Sequence, residues 1–225
     1  MPTTYQYSAD RAKHEMTSSF AEGAALRRVP TQQRSVQRVA RMLDASADLL
    51  DEIGYERLST TLIAQRAQVA IGSVYQFFGD KRAVVRALTL RYLDGYLTRV
   101  VQQVNEERPS HWWQLVDNLI DTYVEMQRTV PGFRTLHFGN MIDENLLDHS
   151  RTNSSVLVAR LSELARQCFD VSDSTDLDLL LTVAVETGDA LIKLAFRDDP
   201  HGDTGLLQET KIMLRRYLEL RVSQM

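Results

Sequence analysis

The fold of this 225-residue chain is decided by residues 58–81, which read LSTTLIAQRAQVAIGSVYQFFGDK. The apolar positions of this stretch predict two short helices, at 60–67 and 71–78, with a break at 68–70. Ser59 offers a hydroxyl to the free amide groups at the start of the first helix. Two short helices joined by a tight turn can cross so that the second projects from the surface, which is a helix-turn-helix.

The side chains of this stretch fall into an inward set and an outward set. The inward set is apolar and consists of Leu62, Ile63, Ala67, Val69, Val74, Phe77 and Phe78. The outward set is mostly small or polar and consists of Thr60, Thr61, Ile71, Gly72, Ser73, Tyr75 and Gln76. Small residues at the start of a helix allow a close approach to base edges, while hydroxyl and ammonium groups reach phosphates. The outward set therefore predicts a surface that binds nucleic acid.

Longer helices are predicted on both sides of the helix-turn-helix. A stripe of apolar residues at spacings of three and four predicts an amphipathic helix over 34–53, which ends at Gly54. The residues of this stripe are Val36, Val39, Ala40, Leu43, Ala47 and Leu50. Another long helix is predicted over 81–106. Further helices are predicted at 111–129, where Ser110 is the expected cap, and at 133–142, 150–169, 177–196 and 206–222, and no segment alternates with the period of a strand.

Charge is distributed unevenly along the chain. The net charge is −4, yet residues 27–91 contain eleven Lys and Arg against six Asp and Glu. Such asymmetry favours a nucleic-acid-binding module on an acidic body. The alternative is that the basic residues cluster by chance on a solvated face.

The segment STTLIAQRAQVAIGSVYQFFGDKRAVVRAL, residues 59–88, resembles the DNA-binding signature of TetR-family transcriptional regulators. The resemblance extends over 36–88, and the Tyr75…Phe78…Lys81 spacing is its most diagnostic part. One position departs from the family pattern, because the turn residue that is usually glycine is Gln68 here. A left-handed backbone at this glutamine would cost about 1 kcal/mol.

The resemblance implies an all-α fold with two domains. Residues 31–80 would form a three-helix DNA-binding domain, and 81–225 a larger helical domain that binds a ligand and dimerises, with 81–106 as the connecting helix. Residues 1–30 would be a flexible arm, longer than most family members carry.

The resemblance also implies roles for the outward residues. Thr60, Tyr75 and Lys81 would contact phosphates, and Ser73 and Gln76 would bind bases in the major groove. Gly72 would permit close approach, Ile71 would meet a thymine methyl, and Thr61 lies on the same surface. Alternatively, Tyr75 is an ordinary half-buried aromatic residue and Lys81 a solvated lysine. A set of arginines either follows the DNA as an arm or is simply solvated, namely Arg27, Arg28, Arg34 and Arg38.

One recognition helix contacts too few bases for useful specificity, so we expect a symmetric dimer on a palindromic operator. The resemblance implies that the last two helices pair with their symmetry mates as a four-helix bundle. The candidate interface residues are Leu181, Ala184, Val185, Gly188, Leu191, Ile192, Ala195, Leu214, Tyr217 and Leu218. The alternative is that these side chains close the core of a single chain.

Aromatic and sulfur-containing residues in the middle of the chain are typical of a pocket for a fairly apolar small-molecule effector. The candidates are Trp113, Tyr123, Met126, Phe133, Phe138 and Met141. Ordinary core packing is the alternative for each of them. No histidine or carboxylate pair has a metal-ligand spacing, so we expect neither a metal nor a cofactor.

Taken together, the sequence predicts a ligand-responsive, sequence-specific transcriptional regulator, in the form of a dimeric repressor. The competing hypotheses are an all-helical enzyme and a helical protein-binding adaptor. No phosphate-binding glycine loop, nucleophile elbow or zinc-helix motif supports an enzyme. The single cysteine, Cys168, and the absence of a long apolar run favour a cytoplasmic location without a membrane span.

Overall fold

The computed structural model describes residues 26–27, 30, 32–107, 109–136, 153–168 and 175–222. Over these residues the chain forms helices and no strand, and the predicted all-α class is confirmed. The helices are α1 (Gln33–Arg57), α2 (Thr60–Arg66), α3 (Ile71–Phe77), α4 (Lys81–Glu107), α5 (Trp112–Thr129), α6 (Asn153–Cys168), α7 (Thr175–Phe196) and α8 (Thr204–Val222), with a short 3-10 helix at Phe133–Thr135.

The chain divides into two compact units, Met1–Thr98 and Arg99–Met225. The boundary lies inside α4, whereas the sequence predicts it at the start of that helix. The first part of α4 belongs to the N-terminal unit because several of its apolar side chains are fully buried there. These side chains are Val84, Val85, Ala87 and Leu88.

The buried face of α1 differs from the predicted stripe. Val36 is 48 % exposed and Ala40 is also exposed, whereas Met42 and Leu49 are buried. A spacing of three and four identifies residues that share a face, but the neighbouring helices decide how wide the covered part of that face is. The remaining predicted positions lie in the core, namely Val39, Leu43, Ala47 and Leu50.

A break lies inside α1 at Gly54, where the sequence predicts that the helix ends. Gly54 has φ 70° and ψ 171°, a backbone conformation that side chains disfavour, and it interrupts the helical run. Leu58 is then buried, and the Ser59 hydroxyl accepts a hydrogen bond from the amide of Leu62 at 3.3 Å. The predicted N-cap of α2 is therefore confirmed.

The turn between α2 and α3 contains the strain expected at Gln68, whose φ is 54°. Gln68→Gly is expected to raise the free energy of unfolding by about 0.5–1 kcal/mol, because glycine adopts this conformation without steric conflict. Chemical denaturation measures the change. The matched control is Gln65→Gly inside α2, which is expected to lower stability by about 1 kcal/mol. A loss of stability in both variants would contradict the proposed strain.

In the C-terminal unit, α7 packs against α6 and α8, and α5 packs against α8. Polar contacts support these pairs of helices. Lys211 on α8 lies 2.5 Å from Asp121 on α5, and Ser162 on α6 donates a hydrogen bond to Asp178 on α7 at 2.5 Å. A glycine at position 188 lets α7 approach α8 closely, because an added Cβ would lie 3.2 Å from Leu214.

Two local predictions in this unit are corrected. The predicted helix at 133–142 begins as the 3-10 helix Phe133–Thr135, and residues 137–142 lie outside the described part of the chain. The N-cap of α5 is His111 rather than Ser110, since the helix begins at Trp112 and His111 directly before it has an extended backbone. The Gln114 side chain accepts a hydrogen bond from the His111 amide. Among the described helices, none combines the length and apolar character that a membrane span requires.

Candidate DNA interface

The buried side chains of α2 and α3 fix the orientation of α3. Ile63 and Val74 are fully buried, as are Phe77 and Phe78 beyond them, at 2 % exposure or less. The Val69 amide donates to the Ala64 carbonyl at 3.0 Å and closes the turn between the two helices. Because these apolar residues face the core, the opposite side of α3 faces outward.

The outward side of α3 contains the side chains that the sequence assigns to DNA. Ile71 is 42 % exposed and Tyr75 is 48 % exposed. Gly72 and Gln76 are exposed as well, and Ser73 is half-buried. On α2, Thr61 is exposed and Thr60 half-buried. The residues form a surface as predicted, and their contacts with DNA stay predictions.

Two of the residues assigned to phosphates are neighbours in the structure. The Thr60 and Tyr75 hydroxyls lie 3.2 Å apart, so α2 and α3 present a pair of hydroxyl groups at one place. Each hydroxyl can donate one hydrogen and also accept one, so the pair keeps a donor available for a phosphate oxygen. Residues 15 positions apart in the sequence thus contribute to one local site.

Lys81 has a structural role that the sequence does not reveal. Its ammonium donates to the carbonyls of Tyr55, at 3.2 Å, and Glu56, at 3.4 Å, near the end of α1. It also lies 4.4 Å from the centroid of the Tyr55 ring, within range of a cation–π contact. Lys81 therefore stabilises the end of α1, and its ammonium has three hydrogens of which these two bonds use two.

Gly72 has no packing role within the described part of the chain. A Cβ built at this position has no atom within 4 Å, apart from its immediate neighbours and helix. Glycine in a helix costs about 1 kcal/mol relative to alanine. The missing side chain therefore leaves space on the outward surface of α3 without serving the fold.

Asp80 and Arg27 complete the surroundings of α3. The Asp80 carboxylate accepts a hydrogen bond from the Ala83 amide at 2.8 Å and caps α4, a role marked in the sequence only by an acid just before a helix. The Arg27 amide donates to the Phe77 carbonyl at 2.8 Å, and its guanidinium lies beside Gly79. This arginine is thereby held at the C-terminal end of α3, while Arg28 lies outside the described residues.

Some of the basic residues in the positive segment are neutralised within the fold. Arg66 makes a bidentate contact with Glu52, at 2.8 and 2.6 Å, and joins α2 to α1. This hydrogen bonding holds the pKa of the Glu52 carboxyl below its ordinary value. Arg91 likewise lies 2.6 Å from Asp44. Two of the eleven basic side chains are therefore paired within the fold, while the net positive charge of the segment is unchanged.

The four predicted effector residues that the structure describes do not form one exposed pocket. Met126 and Phe133 are fully buried, and Tyr123 packs edge to face on Phe133 with its ring centroid 5.4 Å away. Trp113 is 39 % exposed and lies between His111 and Arg215. Contact of these residues with a ligand stays a prediction. Phe138 and Met141 lie outside the described residues.

Half of the predicted dimer residues point into their own chain. The buried ones are Gly188, Ile192, Ala195, Leu214 and Leu218. They pack α7 and α8 within one chain, and their contact with a partner stays a prediction. The others are half-exposed, namely Leu181, Ala184, Val185, Leu191 and Tyr217.

The exposed apolar side chains of these helices lie at other positions. Ten large apolar side chains are exposed among the described residues, and six of them lie on α7 or α8. We call these six the apolar strip, which consists of Leu179, Val183, Leu194, Ile212, Met213 and Leu220. The three on α7, Leu179, Val183 and Leu194, are not among the predicted positions because α7 is apolar around much of its circumference, and periodicity alone does not show which side faces out.

Comparison with known families and proteins agrees with the two-part architecture. Residues 42–88 match the family described as "Bacterial regulatory proteins, tetR family". Residues 110–222 match the family described as "Tetracyclin repressor-like, C-terminal domain". The first match includes α2 and α3, and the second includes α5 to α8.

The chain is also similar to individual proteins. A solved TetR-family transcriptional regulator from Streptomyces coelicolor is 41 % identical, with 81 % of this chain and 98 % of that chain covered at a TM-score of 0.71. An uncharacterised HTH-type transcriptional regulator of Mycobacterium tuberculosis is 37 % identical over 82 residues, which are 35 % of this chain and 42 % of that protein. The A-factor receptor protein of Streptomyces griseus is 39 % identical over 57 residues, or 25 % of this chain and 21 % of that protein. The match thus spans less than half of either of these last two relatives.

Proposed function

This chain belongs to the TetR family of transcription regulators, and we propose that it is a dimeric repressor that binds a palindromic operator. Binding of a small effector causes it to dissociate from that operator. One observation supports DNA recognition above all. The exposed side of α3 carries Tyr75 and Gln76 beside a glycine that no intrachain contact requires. A recognition helix needs a small residue that permits close approach to the base edges and polar side chains that form hydrogen bonds with them.

The proposed dimer uses the apolar strip. Leu179 is 65 % and Leu220 67 % exposed, and large apolar side chains exposed on two helices that pack together favour an interaction surface. A second copy of the same chain supports recognition of a palindrome, because a two-fold symmetric protein presents two equivalent recognition helices.

The proposed release follows from a shift between two conformations. An effector that binds the C-terminal unit more tightly in one conformation favours that conformation. If α4 changes its tilt in this state, the spacing of the two recognition helices no longer fits both half-sites. A differential affinity of about 1.4 kcal/mol is enough to reduce DNA binding tenfold.

Substitutions on α3 test the proposal. Tyr75→Phe removes one hydroxyl and is expected to weaken binding several-fold on specific and nonspecific duplexes alike, because phosphates are present in every sequence. Gln76→Ala is expected to relax base preference at one position. Fluorescence anisotropy across a range of salt concentrations measures both effects, with a duplex that the protein selects from a randomised pool.

Gln65→Ala is the matched control, because Gln65 is an exposed glutamine on α2 outside the outward set. It should retain the parent affinity and base preference. The proposal fails if the parent does not bind DNA, or if all three variants bind with the parent's affinity and specificity.

A further inference from the structure

We propose that the C-terminal unit binds a small carboxylate that carries a second hydrogen-bonding group; this rests on the proposed function, since the carboxylate would be the effector. The site is a cavity open to solvent with a volume of about 440 Å³, a size suited to a small organic ligand. Its lining residues are Gln127, Arg134, Ala190, Lys193, Leu194, Phe196 and Arg197.

Gln127 supplies the strongest indication of a ligand. It is 2 % exposed, and within the described part of the chain neither the oxygen nor the nitrogen of its side-chain amide has a hydrogen-bond partner. Buried polar groups in native proteins are almost always paired, because an unpaired one retains the cost of losing its water. A leucine would serve packing better at this position. The amide is thus explained by a bound molecule whose hydroxyl or amide group both donates and accepts.

The charge of the lining points to an anion. Three of the seven lining residues are cationic and none is acidic. Because Lys193 pairs with Asp189 and Arg197 with Asp198, Arg134 is the principal cation for an anion. Arg134 uses one nitrogen to donate to the Pro200 carbonyl, at 3.4 Å, so its other N–H groups remain for a ligand. A guanidinium presents paired donors that match the two oxygens of a carboxylate.

A buried network holds the second cation in place. Lys193 lies 2.6 Å from one oxygen of Asp189, and the Tyr123 hydroxyl donates to the other at 2.8 Å. Asp189 is itself 7 % exposed. The lysine is therefore held at the cavity wall by Asp189 on its own helix, and Tyr123 on α5 holds that carboxylate in turn.

Apolar groups complete the lining and select an organic anion over an inorganic one. Ala190, Leu194 and Phe196 offer carbon surface to the body of the ligand. Leu194 also belongs to the apolar strip, so the cavity borders the proposed dimer surface. A ligand in this cavity would therefore lie next to the proposed dimer surface, where it can alter dimerisation of two copies of the chain.

The test screens the full-length protein by thermal shift against hydroxylated aromatic and aliphatic carboxylic acids. Each acid is paired with its neutral primary amide and with its analogue lacking the hydroxyl. Acids are expected to raise the melting temperature more than their amides, and calorimetry then measures the affinity of the best acid.

Gln127→Leu is expected to lower the affinity for that acid about tenfold and to remove the preference for acids that carry a hydroxyl. Its melting temperature should equal or exceed the parent's, which distinguishes lost recognition from lost folding.

A matched pair of arginines tests the charge. Arg128 and Arg134 each donate to a backbone carbonyl of the same loop, at His201 and Pro200, but only Arg134 lines the cavity. Arg134→Gln is expected to lower the affinity of the protein for the acid about tenfold. Arg128→Gln is expected to leave that affinity unchanged.

Three outcomes would overturn the proposal: no acid in the panel binds, the amides bind as well as the acids, or the two arginine variants lose affinity equally. DNA binding is measured separately without the acid, and Gln127→Leu should retain it. A parent that binds the acid but not DNA would contradict the proposed function alone. A parent that binds DNA but no acid would contradict this inference alone.

Discussion

Replacing Leu179 and Leu220 together with glutamate is expected to give a folded monomer that binds the operator at least roughly a hundredfold more weakly than the parent. Both side chains are about two-thirds exposed in the single chain, at 65 % and 67 %, so the charged substitutes remain in water and the monomer keeps its core. In a dimer built on the apolar strip, the same carboxylates would lose their water without a partner. Sedimentation velocity measures the mass, and anisotropy measures the affinity.

The control for this variant is Leu179→Met with Leu220→Met, which keeps the strip apolar and should remain dimeric with the parent's affinity. Thermal melting of the glutamate variant shows whether it is folded. A folded glutamate variant that still sediments as a dimer would place the dimer surface elsewhere.

Gly72→Ala is expected to change stability and DNA affinity in opposite directions. Alanine favours the helix, so the free energy of unfolding should rise by about 0.5–1 kcal/mol. The added methyl group occupies the open space on the outward side of α3, and the loss of close approach should weaken specific binding about tenfold or more. Denaturant unfolding and anisotropy on the selected duplex measure the two effects.

Gly95→Ala is the matched control, because Gly95 lies within α4 and a Cβ there also has no atom within 4 Å. It should stabilise the protein by a similar amount and leave DNA binding unchanged. Unchanged affinity in Gly72→Ala would instead mean that this glycine does not face DNA.

The sequence predicts the N-terminal unit well because its signals are local. The Ser59 cap, the break at Gly54 and the left-handed turn at Gln68 each depend on a few neighbouring residues. The inward and outward sets of residues 58–81 are clearly separated by residue type, so this short segment can pack against the core in few ways. The exposed surface of α3 follows from the burial of Val74 and Phe77 on its other side.

The sequence predicts the faces of α7 and α8 less well. Both helices offer apolar residues in several directions, so their periodicity does not decide which side meets the neighbouring helix. The structure buries Gly188 against Leu214 and exposes Leu179 and Leu220. Packing between residues far apart in the chain makes this choice.

The sequence by itself determined the helical class, the helix-turn-helix and the side chains that α3 presents, because each depends on residue type and on spacing within a few turns. Only the tertiary structure decided that Lys81 binds the carbonyls at the end of α1, which strip of α7 and α8 stays exposed, and that Gln127 is buried with no hydrogen-bond partner among the described residues. These features depend on contacts between elements that are far apart in the sequence. The hydrophobic periodicity of one helix does not show which elements pack against it.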